Sequence, residues 1–194
     1  MRRTRASGAL GSWRRVGMSL LDPEPPRQAG GPRPALLIIG VGNPDRGDDA
    51  IGPRLLERLR ADLPAGTDAG AGTVALLDAY QLQPEHALEL RERRLSIVVD
   101  AAAGGPAPFS VTAVAPAPAP TITTHSLSPA ALATVYQQLF GQPPALTLLA
   151  VRGEVFGLGA PLSAAAAQHL AAALDWLRAL LRSENDFAKR KPMP

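Results

Sequence analysis

Ala35-Leu36-Leu37-Ile38-Ile39-Gly40-Val41-Gly42-Asn43-Pro44-Asp45-Arg46-Gly47-Asp48-Asp49 decides the fold. It opens on an unbroken apolar run that ends in glycine, the pattern of a strand buried on both faces. A loop rich in Gly, Asn, Pro and Asp follows. Then Ile51, Leu55, Leu56, Leu59 and Leu63 fall on one helical face, with Arg54, Glu57, Arg58 and Arg60 mostly elsewhere. Pro53 suits the first turn of that helix, so the helix begins just after Asp49.

The strand-then-helix pattern recurs. Thr73–Asp78, Ser96–Ala101, Phe109–Ala115 and Ala145–Val151 read as four further strands. Pro84–Arg93 reads as a short charged helix, Pro129–Phe140 as a second and Ser163–Leu181 as the last. Alternating strands and helices with apolar central strands predict an α/β domain. Its sheet is a mostly parallel, twisted, five-stranded one flanked by helices in three layers. The strand at 109–115 follows its predecessor through a Gly-Gly-Pro loop with no room for a helix. It is therefore expected to pair antiparallel near an edge.

Composition sets the outer limits. Of 194 residues, 46% are hydrophobic and only 4% aromatic, so aliphatic side chains and alanine must fill the core. With no cysteine, a disulfide scaffold, a Cys-ligated zinc site, an iron–sulfur cluster and a cysteine nucleophile are excluded. That usage agrees with a cytoplasmic location. The net charge of +3 is uneven. Residues 1–34 hold seven arginines and two acids, and 182–194 four basic and two acidic residues, so 35–181 is net acidic. Residues 1–34 read as a disordered leader and 182–194 as a flexible basic tail around one domain over 35–181. Nucleic acid is not an expected partner, because the basic charge lies at the ends. A membrane is not expected either, since no apolar run approaches the roughly 20 residues a span needs.

In an open parallel sheet, ligands bind beyond the carboxyl ends of the strands. Asp45, Arg46, Asp48 and Asp49 follow the first strand, Asp78 ends the second and Asp100 the third. His125 precedes the helix at 129 and Glu154 follows the last strand. Asp49, Asp100 and His125 are expected to converge at one sheet edge. Two carboxylates and one imidazole suit a borderline divalent ion such as nickel, zinc, iron or manganese. Each also has a plainer reading. Asp48 and Asp49 fit helix capping, Asp100 could accept amides of its own loop, and His125 could be hydrogen-bonded structurally. His86 and His169 are read as surface residues. A dinucleotide site is disfavoured, because Asp45 stands where Gly-x-Gly-x-x-Gly needs its last glycine. Nor is there a Gly-x-Ser-x-Gly elbow for a serine hydrolase.

Gly40-Val41-Gly42-Asn43-Pro44-Asp45-Arg46-Gly47-Asp48-Asp49-Ala50-Ile51-Gly52 resembles the opening motif of the [NiFe]-hydrogenase maturation endopeptidases. The resemblance continues in order through Val98-Val99-Asp100-Ala101, Thr124-His125-Ser126-Leu127-Ser128 and Gly159-Ala160-Pro161-Leu162-Ser163, over roughly residues 35–181. It implies a peptidase that removes a C-terminal peptide from the hydrogenase large-subunit precursor after nickel insertion. The family's metal-contacting and catalytic positions fall on Asp49, Asp100 and His125. The nickel is implied to arrive with the precursor rather than to reside in the enzyme, and a monomer is implied. Gly40 and Gly42 are expected to let a substrate backbone approach closely. Gln81-Leu82-Gln83-Pro84-Glu85-His86-Ala87 resembles a subgroup that works on soluble cytosolic hydrogenases. Some members carry glutamate at the position of Asp49, many carry glycine at that of Ala50, and the arginine-rich leader has no counterpart. A non-catalytic nickel-checking or large-subunit-binding chaperone of the same fold is the other reading.

Overall fold

Strand β1 (Leu36–Val41) is buried along its whole length, which is why an unbroken apolar run encodes it rather than an alternating one. The computed structural model of the chain describes residues 33–63, 74–117 and 127–189. Residues 1–32 of the expected leader, and His125, lie outside the described residues. After β1 come helix α1 (Ile51–Asp62), β2 (Val74–Ala79), β3 (Leu95–Ala102), β4 (Phe109–Val114), α2 (Pro129–Phe140), β5 (Ala145–Arg152) and α3 (Ala164–Lys189).

The strands form one sheet in the order β2-β1-β3-β5-β4. Pairs β1–β2, β1–β3 and β3–β5 are parallel, and β4 runs antiparallel to β5 at the edge. Although β4 follows β3 closely in sequence, β5 lies between them. The two faces divide by residue parity, as a pleated strand requires. Leu36, Ile38, Ile97, Val99 and Leu149 pack under α1 and α3. Leu37, Ile39, Val98 and Leu146 pack under α2 and the segment around Ala87 and Leu90. The chain is therefore a three-layer α/β/α domain with an apolar core on each side of the sheet.

Two expected elements differ. The charged segment from Pro84 forms only a 3-10 turn over Pro84–Leu88. Buried Ala87 and Leu90 anchor it, while the charged residues around them supply no apolar stripe to extend it. The last helix does not yield to a tail at 182 but runs on to Lys189. Leu181 is buried, and beyond it Glu184 forms an ion pair with Arg94, which holds the extension against the domain. By contrast α2 keeps the expected bounds. Pro129 stands in its first turn, and the Ser128 hydroxyl accepts the amide of Ala131 at 3.1 Å.

Candidate functional site

The sheet order sets the location of the site. From β1 the chain crosses through α1 to β2 on one side, while β3 lies on the other. The crevice between the carboxyl ends of β1 and β3 is thus the topological switch point, the usual ligand position in such sheets. Asp49 comes from the loop after β1, and Asp100 lies near the carboxyl end of β3. Gly40 pairs in register with Val99, so Asp100 stands level with the point where β1 gives way to its loop.

The first loop is shaped by its own hydrogen bonds. Asp49 lies in a 3-10 turn, Gly47–Ala50, that leads directly into α1. Its amide donates to the Arg46 carbonyl at 3.2 Å, and its carboxylate Oδ2 accepts the Asn43 amide at 3.0 Å. The glycines before it serve this packing. Gly42 has φ +137°, and a Cβ there would stand 1.9 Å from the Asp49 carbonyl oxygen. A Cβ on Gly40 would meet the Gly52 carbonyl oxygen at 2.7 Å and the Leu56 side chain. The space expected for a substrate backbone is filled by the chain itself.

Asp48 and Asp49, neighbours in sequence, have opposite surroundings. Asp48 is fully buried. Its carboxylate accepts the amides of Glu154 at 2.7 Å, Val155 at 2.9 Å and Ser163 at 2.7 Å, and the Ser163 hydroxyl at 2.9 Å. Burial pushes its pKa up, but these hydrogen bonds outweigh that and hold it below the ordinary carboxylate value. Asp48 is therefore not a helix cap. It ties the β1–α1 loop to the β5–α3 loop, and the backbones follow: Gly47 to Ala160 at 3.0 Å, Asp48 to Val155 at 2.6 Å and Gly159 to Asp45 at 2.8 Å. Ser163 also caps α3, its hydroxyl accepting the Ala166 amide at 3.1 Å.

Asp100 is half-buried, and desolvation raises its pKa to about 6. A hydrogen bond from the Ala101 backbone opposes the rise, and the negative charge of Asp49 adds to it. The two carboxylates thus lie within electrostatic reach of each other. Such a pair can offer oxygens to a divalent ion. Among the described residues no group of three His, Asp, Glu or Cys side chains is placed to hold a metal. Asp49 and Asp100 are the two of the expected three that can be located.

The other candidates hold structural positions. Asp78 is ion-paired with Arg60, and Glu154 is exposed with its amide on Asp48. His86 and His169 are half-buried rather than surface residues. The His86 ring accepts the Gln83 amide at 2.9 Å, and the His169 ring lies 2.8 Å from the Arg152 carbonyl. Two residues that sequence reasoning passed over stand beside the site. Asn43 is buried, and its side chain donates to the hydroxyl of Tyr80, just beyond β2. An Asn-Pro pair in a glycine-rich loop was the available signal for the first, whereas nothing local marks Tyr80 as its partner.

Solved structures share this fold. The [NiFe] hydrogenase maturation protease HycI from Thermococcus kodakarensis KOD1 matches with a TM-score of 0.59 at 20% identity, over 77% of this chain and 94% of that chain. The hydrogenase maturating endopeptidase HybD from E. coli matches with a TM-score of 0.57 at 26% identity, over 76% and 92%. A hydrogenase 2 maturation peptidase from Thaumarchaeota archaeon SCGC_AB-539-E09 matches at 0.52 and 21%, over 75% and 97%. No protein-family model matches the chain, and no curated protein matches it by sequence. The chain is a structural relative of the hydrogenase maturation endopeptidases, as the motif at 40–52 implied. No helix among the described residues is long and apolar enough to cross a membrane.

Proposed function

We propose that this chain is an endopeptidase that removes the C-terminal peptide of a [NiFe]-hydrogenase large-subunit precursor after nickel insertion. The observation that carries the reading is the pairing of Asp49 and Asp100 at the β1/β3 switch point of a fold shared with named maturation endopeptidases. In this reading their oxygens, with the His125 imidazole, recognise the nickel that the precursor carries. The ion is part of the substrate, and an acid–acid–imidazole set suits it chemically. Asp100, with its raised pKa, is also suited to move a proton during amide hydrolysis. The acidic loop of Asp45, Asp48 and Asp49 supports this reading over a nucleotide site, since it would repel phosphate. The protein is expected to act as a cytoplasmic monomer.

The test uses purified protein, a nickel-loaded precursor and the same precursor without nickel, with the products read by mass. Loss of a C-terminal peptide only from the loaded precursor is the expected result. Asp49→Asn, Asp100→Asn and His125→Ala should abolish that loss while retaining the wild-type circular dichroism spectrum. Tight binding to the precursor without cleavage would favour a chaperone instead. Normal processing by His125→Ala would remove that residue from the mechanism.

A further inference from the structure

Asn43 is only 7% exposed, so each of its polar groups needs a partner inside the protein. Its backbone amide donates to Asp49 Oδ2 at 3.0 Å. Its carbonyl accepts the Arg46 amide at 3.2 Å. Its side-chain oxygen accepts the Asp45 amide at 2.9 Å and closes an Asx turn around Pro44. Its side-chain nitrogen donates to the Tyr80 hydroxyl. The residue thus joins the turn, the site carboxylate and the end of β2. Gly42 binds the same strand end, its amide donating to the Ala79 carbonyl at 3.0 Å.

Tyr80 contributes little to the core, being 67% exposed. Burial does not hold its ring, and its described tie to the domain is the hydroxyl that receives the Asn43 amide. Asp49, in turn, has one carboxylate oxygen engaged and the other without a hydrogen bond among the described residues. A carboxylate pinned by one oxygen keeps a single orientation and presents the second to whatever enters the crevice. Building on the peptidase reading, we propose that Asn43 is a positioning residue that aims the Asp49 carboxylate, and that Tyr80 is the strut that keeps Asn43 in place. The line of action runs from the end of β2, through a buried amide, to a carboxylate at the switch point.

The experiment compares wild type, Tyr80→Phe, Asn43→Ala and the double variant. Tyr80→Phe removes one oxygen from an exposed ring and leaves the fold intact. The first readout needs no substrate: exchange of the Asn43 backbone amide with solvent, followed by NMR. Its protection should fall about tenfold in Tyr80→Phe, the equivalent of one lost neutral hydrogen bond. The second readout is precursor cleavage, where kcat should fall about threefold to tenfold at unchanged KM, the sign of lost positioning rather than lost binding. The double variant should be no slower than Asn43→Ala alone, because Tyr80 acts through Asn43. Multiplying effects, a change confined to KM, or unaltered exchange of the Asn43 amide would each overturn the proposal. If wild type cleaves no precursor, the peptidase reading fails by itself, and the exchange measurement still decides the positioning role.

Discussion

Asp48 and Ser163, 115 residues apart, are joined twice: Oδ1 accepts the Ser163 amide at 2.7 Å and Oδ2 its hydroxyl at 2.9 Å. The same carboxylate receives the Glu154 and Val155 amides. One buried acid therefore satisfies three amides of the β5–α3 loop, and the serine it holds begins the last helix. This pair fixes the wall of the site on the β5 side.

Asp48→Asn should be strongly destabilising. The asparagine NH₂ must face an N–H or O–H donor that the carboxylate now accepts, so buried donors lose their acceptor. The cost is expected to be on the order of 3 kcal/mol, with Ser163→Ala nearer 1 kcal/mol. Urea unfolding of the three proteins measures both, and an Asp48→Asn variant as stable as wild type would refute the account.

Gly42→Ala should disrupt the first loop, because its Cβ would overlap the Asp49 carbonyl and its φ of +137° disfavours a side chain. Gly104→Ala is the control, since nothing lies within 4 Å of its added Cβ. Thermal melting should separate the two clearly, with a drop only for Gly42→Ala. Equal melting temperatures would mean that the loop is not packed as described.

The raised pKa of Asp100 has a defined sign in stability. Between the ordinary value of 3.8 and about 6, folded protein holds a proton that unfolded chain releases. Stability from this group is therefore greatest below that window and falls as pH rises through it, by roughly 3 kcal/mol. Asp48 works in the opposite sense at lower pH, since its pKa is depressed. Asp100→Asn should gain stability over wild type between about pH 4 and about pH 7.5, and a pH-independent difference would contradict the assignment.

Arg94→Ala tests the extension of α3. The pair with Glu184 is partly exposed, so its loss should cost under about 1 kcal/mol. Helix content by circular dichroism should fall slightly while the core transition stays cooperative. A large loss of stability would mean that the extension is integral to the core.

Much of the fold was legible because burial leaves a local trace. The runs at 36–41, 95–102 and 145–152 are strands flanked on both faces, and α2 begins at Pro129 where the apolar spacing placed it. Asp49 and Asp100 could be placed at one edge from parallel topology alone. The insertion of β5 between β3 and β4 could not, because strand order depends on pairings distant in sequence. Asp48 misled for the same reason. A carboxylate before a helix reads as a cap, and its true donors lie over a hundred residues away. The Asn43–Tyr80 bond is likewise non-local, while Pro84–Arg93 failed as a helix because charge without an apolar stripe gives a turn little to bury.

Under the proposed peptidase activity, the stitching of the β1–α1 loop to the β5–α3 loop also bears on how a polypeptide substrate would be received. Most of the ordering on that flank is completed when the chain folds, so a visitor meets a finished seat and spends little of its own affinity shaping it. Discrimination there then depends on the visitor's shape, which must match a contour that does not yield.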